Sequence, residues 1–383
     1  MAPSSALSSP STTKASTSIP PTIGTGPKRW WPRARWHFPT WHWPWSAYAR
    51  YLQATDHPII VGPWLGELGF EVLYWMPFLT AWILNAKIDP TRIHVLSRGG
   101  MAQCYGPKGV RALPDIYDLR TPQQVRVAVR LAYEDNQHML KQLRPTHFER
   151  TLVREVAATT GWSRSYHWLH PHWMFQELAP FWLGQRGLEW VGPRLAYEPL
   201  PEVPWIGDTP LPSPAVAVKF YARATWPANP MTAQFAEQTI KQLAAEQHVI
   251  LLDTPWHLDD HSDYRPPPMP NVHRLSELAP HMPASNLLAQ RAVLGHAVGF
   301  IGTYGGTAHF ALLTKKPTIC MHLGWQGTMP AHRHLGEALA AKLGIPFQVL
   351  SLQHLPLIQN ALPRVQWQTG QPQGSSLRQP VVT

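Results

Sequence analysis

Two carboxylates four residues apart and a pair of adjacent glycines are the residues of this chain whose types and spacing point to chemistry. Glu67 and Glu71 stand in the run GPWLGELGFEVLYW. On a helix, an i, i+4 pair shares one face, and near the helix N-terminus the macrodipole favours ionised carboxylates. A carboxylate at a cleft can take the proton of a hydroxyl. The competing reading is helix capping with the usual acidic bias of a first turn. The glycines, Gly305 and Gly306, lie in VGFIGTYGGTAHFALLTKKPTIC, residues 298–320. An apolar run there breaks into a turn and a new helical pattern. A helix starting at Thr307 has amides without intrahelical partners, and these favour an anion. Glycines let the backbone approach a diphosphate, so Thr303, Tyr304, Gly305, Gly306 and Thr307 are candidate phosphate-binding residues, the competing reading being a tight connection alone. His309, one turn further on, can reach a phosphate or ribose oxygen, or can be satisfied by a backbone carbonyl.

Other candidates follow from strand ends. Arg223, after the run AVAVKFY at 215–221, can pair with phosphate oxygens as a leaving group departs, or can form a surface ion pair. Arg98, followed by Gly99 and Gly100, ends an earlier apolar run and can face the same cleft, because ligands of open α/β sheets collect at strand carboxyl ends, or can be an exposed arginine of a simple turn. Asn286 and Gln290 share a helix face and can contact a nucleotide, or can be an ordinary polar face. Asp253 closes the run HVILLD at 248–253 and can hold a base or ribose. Two histidine-rich stretches resemble metal sites in composition only. His257-Leu-Asp-Asp-His261 reads as a solvated loop, and His167, His170 and His172 lack further ligands at set spacing, so no metal is expected.

The elements that must position these residues alternate. A strand at 58–62, a long apolar helix at 66–86 and a second strand at 92–97 are followed by a helical stretch at 121–142 and less regular segments at 166–169 and 172–183. Seven prolines in 192–214 mark a linker. The alternation then restarts, with strands at 215–221, 248–253, 271–275, 298–301 and 318–321 and helices at 231–246, 285–297 and 307–314. Strands separated by helices imply parallel sheets. The expected organisation is a Ser/Thr/Pro tail at 1–27, a basic Trp-rich arm at 28–57, an α/β domain at 58–191, the linker, a second α/β domain at 215–363 and a loose tail at 364–383.

Charge narrows the function. The chain has 383 residues and a formal charge of +10. Residues 1–55 hold six Lys or Arg and no acid, residues 338–383 hold three and no acid, and the body between is nearly neutral. A nucleic-acid-binding core, which needs a clustered basic surface, is disfavoured. The two cysteines, Cys104 and Cys320, argue against a disulfide framework and for a reducing compartment. The longest uncharged apolar stretch, 72–86, contains Pro77 and Asn85 and is too short to span a bilayer, and no secretory signal is read at the N-terminus. Residues 28–51 interleave six tryptophans with five cations. That pattern suits the headgroup zone of an anionic membrane, or a proline-rich arm packed on the protein.

Four short motifs together resemble the heptosyltransferase-like branch of the GT-B glycosyltransferases. Glu71-Val-Leu-Tyr-Trp-Met-Pro77-Phe-Leu79 resembles its early acidic residue followed six positions later by proline. Gly306-Thr-Ala-His309-Phe310 resembles its donor-diphosphate turn, followed by Lys316-Pro317-Thr318. Trp226-Pro227 matches a further landmark, and the resemblance runs in order over residues 58–350. It departs where the family commonly has an aspartate and this chain has Thr303-Tyr304. It also lacks the usual lysine before Trp-Pro, where Arg223 is the nearest cation. The resemblance implies two Rossmann-like domains facing across a cleft, with a nucleotide sugar held mainly by the second and the acceptor by the first. It implies sugar transfer to a hydroxyl of a glycan, lipid-linked or protein acceptor, with inversion. No metal is implied, nor any cofactor beyond the nucleotide sugar as co-substrate. The setting it implies is cell-envelope glycan synthesis on the cytoplasmic side; a peripheral place at the inner membrane face rests on the Trp-rich arm at 28–51 instead. Glu71 is favoured as base, with Glu67 and Arg223 beside it. An epimerase on the same fold, or a non-catalytic sugar-nucleotide or membrane-surface binding module, are the alternatives.

Overall fold

The computed structural model describes residues 45–136, 142–162, 165–256, 261–279, 282–324 and 329–354. The tail at 1–27, the arm up to residue 44, residues 257–260 of the histidine-rich loop and the C-terminal tail lie outside them.

Two parallel sheets form the frame. The first contains β1 (Ile59–Val61), β2 (Ile93–Val95), β3 (Arg111–Ala112) and β4 (His167–Leu169), in the order β3-β2-β1-β4. Its register sets Ile59 opposite both Ile93 and His167. The second contains β5 (Ala215–Lys219), β7 (His248–Leu251), β9 (Val272–Arg274), β10 (Phe300–Thr303), β11 (Thr318–His322) and β12 (Phe347–Ser351), in the order β12-β11-β10-β5-β7-β9. A two-stranded antiparallel ribbon, β6 (Tyr221–Ala222) with β8 (Ser262–Asp263), sits at the end of β5. Strands β1 and β10 are buried throughout. Runs such as Ile-Ile-Val can be apolar without alternation because helices cover both faces of a parallel sheet.

The α/β class and the two-sheet plan agree with the sequence reading, but several elements were not legible. The helix His147–Thr159 was missed, although Thr146 and Glu149 make a reciprocal capping box and Leu152, Val153, Val156 and Ala157 line its buried face. Helix Pro330–Leu343 and β12 were missed as well. The helical stretch expected at 121–142 ends at Asp135. The linker is packed: Tyr197 Oη donates to Leu73 O at 2.7 Å, and Arg291 Nη2 donates to Leu200 O and Pro201 O at 3.1 and 2.9 Å.

The last part of the Trp-rich arm belongs to the body. Helix Trp45–Gln53 sets the Trp45 ring 5.4 Å from Phe78 and 5.7 Å from both Trp82 and Trp173, and Tyr48 Oη donates to Trp168 O at 2.7 Å. A membrane contact through 28–51 as a whole is therefore corrected at this end, because Trp45 and Tyr48 already pack against protein. No helix of the described residues is long and apolar enough to cross a membrane.

Candidate functional site

The carboxyl ends of the two sheets meet at two close backbone approaches. At the first, Gly69 faces Gly306. A Cβ added at Gly69 would lie 3.1 Å from Gly306 Cα, and one at Gly306 would lie 2.7 Å from Gly69 N. At the second, Gly99 O accepts from the amides of Leu287 and Leu288 at 2.9 and 3.0 Å, satisfying the start of helix Asn286–His296 from the other half of the molecule. Gly99 has φ +67°, and a Cβ there would meet Leu287 Cγ at 2.9 Å.

Between these approaches lies a cleft of ≈ 320 Å³. Its first-half wall carries Glu67, Leu68, Gly69 and Arg98, and its second-half wall carries Lys219, Tyr221, Arg223, Asn286, Gln290, Gly306 and Thr307. Thr254, Pro255 and Trp256, and His261, Ser262, Asp263 and Arg265 around β8, line it as well. Four cations, Arg98, Lys219, Arg223 and Arg265, face two carboxylates, Glu67 and Asp263. Asp263 is committed to Lys219 at 3.3 Å. The remaining balance is positive, which fits an anionic ligand beside the helix that starts at Gly306.

Arg223 is the centre of that field. Its backbone closes a tight pairing with Trp226, in which each amide donates to the other's carbonyl at 2.9 Å. Burial works against its charge, yet Tyr221 and Glu67 outweigh burial and its pKa is raised. Its Nε is buried with no hydrogen-bond partner among the described residues. A guanidinium with a spare donor in a cleft is suited to binding oxyanions.

The two carboxylates separate. Glu67 keeps extended backbone (φ −73°, ψ 147°) ahead of the helix that begins at Leu68, and its side chain makes no cap bond. An i, i+4 pair shares a face only if both residues are helical, so the expectation of a common face is corrected. Glu67 lines the cleft, whereas Glu71 opens the π-helical turn Glu71–Trp75 and is fully buried. Ser97 Oγ and Tyr105 Oη donate to Glu71 Oε1 at 2.6 and 2.8 Å, and Oε2 has no hydrogen-bond partner among the described residues. Burial pushes its pKa up to about 7, against the opposing pull of Arg98 and the two hydroxyls.

Of the other candidates, Arg98, Arg223, Asn286, Gln290, Gly306 and Thr307 line the cleft. Five do not. Thr303 is buried and its Oγ1 accepts from Tyr221 N at 3.1 Å, locking β6 to β10. Tyr304 is buried beside Arg223, which donates to its carbonyl at 3.5 Å. Gly305 packs under Tyr221 Oη, with which any side chain at 305 would collide. His309 is buried against Tyr304 and Phe347, ring centroids 5.5 and 6.0 Å away. Burial and the Arg223 charge lower its pKa to about 4, so it is neutral near pH 7. Asp253 accepts from Ser276 N and Oγ at 3.0 and 2.7 Å, and so caps the helix Leu275–Leu278. The sequence reading missed Lys219, Tyr221, Thr254 and Arg265. The position of Lys219 at the carboxyl end of a central parallel strand was the available signal.

The histidines at 167–172 are structural. His167 Nε2 lies 2.5 Å from Thr55 Oγ1, and His170 Nε2 lies 3.0 Å from Glu149 Oε1. Among the described residues no group of three or more potential ligands could hold a metal ion.

No family model matches the chain, and no curated protein is similar enough to match. Solved structures are similar over most of their length. A glycosyl transferase family 9 structure from Veillonella parvula DSM 2008 is 13% identical, covering 82% of this chain and 98% of that one, with TM-score 0.41. The E. coli heptosyltransferase WaaC with ADP is 15% identical, covering 79% and 99%, with TM-score 0.36. The E. coli ADP-heptose lps heptosyltransferase II is 11% identical, covering 80% and 98%, with TM-score 0.40. Similarities of this size do not assign an activity.

Proposed function

We propose that this protein transfers a sugar from a nucleotide-sugar donor to an acceptor hydroxyl by direct displacement, with inversion. The observation that carries this reading is one cleft in which the carboxylate Glu67 faces the guanidinium Arg223 beside the helix start at Gly306. In this reading the diphosphate of the donor lies against the helix-start amides at Gly306 and Thr307 and the guanidinium of Arg223. Asn286 and Gln290 offer their amides to the nucleotide, and Arg98 holds the acceptor side. Glu67 takes the proton of the acceptor hydroxyl as its oxygen attacks the anomeric carbon. The bond from that carbon to the diphosphate breaks on the opposite side, and Arg223 balances the charge gained by the leaving group. Because a protein cation supplies that balance, no metal is required. Glu67 replaces Glu71 as the base because only Glu67 is in the cleft.

The acceptor in this reading is a glycan, lipid-linked or protein hydroxyl. The basic, Trp-rich residues 28–44 add a contact with an anionic membrane surface at the cytoplasmic face, where lipid-linked acceptors would be met; each cation near such a surface contributes on the order of 1 kcal/mol.

A thermal-shift screen of nucleoside diphosphates and their sugars tests the donor site, because a ligand of the native state raises the melting temperature. The expected result is a shift with at least one nucleoside diphosphate that is lost in Arg223→Ala. Glu67→Gln should keep that shift and lower turnover by roughly two to four orders of magnitude. A donor that binds with no transfer to any acceptor would make the protein a binding module.

A further inference from the structure

Glu67 reaches the cleft from the end of a loop, residues 62–66, that has no regular secondary structure. Most of the backbone polar groups of that loop are nevertheless tied. Gly62 N donates to Leu169 O at 3.0 Å and Trp64 N donates to Leu96 O at 3.0 Å. Trp168 Nε1 donates to Gly62 O at 2.5 Å, and Arg98 Nη2 donates to Gly66 O. The middle of the loop hangs on one side chain. Gln142 Oε1 accepts from Leu65 N at 2.9 Å, and its Nε2 donates to Pro63 O at 2.8 Å.

Gln142 is itself held. Its second N–H donates to Glu149 Oε1 at 2.7 Å, and that same oxygen lies 3.0 Å from His170 Nε2. His170 Nδ1 accepts from His172 N, so Nε2 carries the proton and donates to the carboxylate. Thr146 N and Oγ1 each donate to Glu149 Oε2 at 2.7 Å. Gln142, Glu149 and His170 are each 1% exposed. Burial alone would raise the Glu149 pKa, but His170 and the donors around it hold it below the usual range, so the carboxylate stays an acceptor. The amide of Gln142 therefore cannot flip, because its oxygen would then face a carbonyl and a carboxylate. A fully satisfied polar network in low dielectric is rigid.

We infer that Gln142 is a positioning residue for Glu67: it fixes the loop whose end carries that carboxylate into the cleft, and it affects turnover only through that carboxylate. The inference rests on the reading of Glu67 as the base. An error of about 1 Å in a reacting group costs roughly a hundredfold in rate. The two bonds from Gln142 lie two and four residues before Glu67, close enough for their loss to produce such an error.

A double-mutant cycle tests this, with Gln142→Ala and the nearly isosteric Gln142→Met each made in the wild-type and Glu67→Gln backgrounds. In the wild-type background kcat should fall about tenfold to a hundredfold. The Kd of the nucleoside diphosphate found in the thermal-shift screen should stay within about twofold, because its proposed contacts are in the other half. In the Glu67→Gln background the same substitutions should change kcat by less than about twofold. Hydrogen exchange at the Leu65 amide should speed up in both. An equal fold-loss in the two backgrounds would reduce Gln142 to a purely structural role and overturn the inference, and so would unchanged kcat with faster exchange at Leu65. Glu67→Gln with wild-type turnover is a separate result, which removes the base assignment itself.

Discussion

Each half of the molecule presents a helix start to the cleft, and the two are built differently. Ahead of the first-half helix stands Glu67, extended and without a cap bond, its carboxylate turned to the cleft. Ahead of the second-half helix stands Gly305, packed under Tyr221, and the helix opens with Gly306 against the backbone of Gly69. One start presents a carboxylate to the cleft, the base in the proposed reading; the other removes side chains so that the two backbones can come close. In each helix burial pushes an acid or base toward its neutral form. Glu71 in the first is shifted up, to about 7, and His309 in the second is shifted down, to about 4. Residue type at a helix start thus separates a side chain that lines the cleft from a backbone that touches the other half.

The largest effect that probes this contrast is at Arg223. Arg223→Ala should lower turnover by about two to three orders of magnitude, the scale of losing one preorganised donor to developing charge, and should weaken nucleoside diphosphate binding in calorimetry. Unchanged affinity would place the anion elsewhere than at the glycine helix start.

Gly306→Ala should come next, as a loss of stability. A methyl there meets Gly69 N at 2.7 Å, a backbone atom that cannot swing aside, so unfolding in urea should show a loss of about 1–3 kcal/mol. Gly192→Ala, where nothing lies within 4 Å, should cost little and serves as the control. Equal stability of the two variants would mean that the halves do not need the bare backbone at 306. A bulky residue at 306 is not a clean probe of nucleotide binding, because it strikes the first half before it meets any ligand.

The smallest effects are in the pH dependence, and they have opposite signs. Glu71 has a folded pKa raised above its ordinary 4.5. Its contribution to stability is present below that value and is lost as pH rises toward about 7. Relative to wild type, Glu71→Gln should therefore gain stability as pH rises through that window and level off above it. His309 has a folded pKa depressed below 6.5, so its contribution is present above 6.5 and is lost as pH falls toward about 4. His309→Gln should gain relative stability as pH falls. Thermal melts of the three proteins between pH 4 and 8 show whether the two differences slope in opposite directions. Parallel slopes would mean that one of the two groups is solvated.

Much of the site could be read from the chain alone, and the reasons are local. Strands β1, β2, β5, β7, β10 and β11 coincide with short apolar runs bounded by Gly, Pro or charge, and the period of the runs is enough to place Arg98, Arg223, Asn286 and Gln290 near strand ends or on a helix face. The glycine turn at 305–306 was legible because only glycine tolerates such backbone crowding. Lys219 and Tyr221 were not singled out, although they end a strand already identified, because neither belongs to a recognisable motif. The helix His147–Thr159 was missed even though its capping residues stand in the sequence.

Tertiary structure alone decided which carboxylate meets the cleft. Glu67 and Glu71 are the same residue type at helical spacing, and nothing local distinguishes them. Extended backbone at Glu67 and a π-helical turn at Glu71 set their directions, and both depend on what the loop and helix pack against. The same holds for His309 and Asp253, whose sequence positions suit a ligand but whose side chains are taken up by Phe347 and Ser276. Sequence determined the α/β alternation and where a phosphate could approach, since those follow from residue size and periodicity. Burial and hydrogen-bond partners come from residues as distant as Gln142 is from Leu65, and they exist only once the chain has folded.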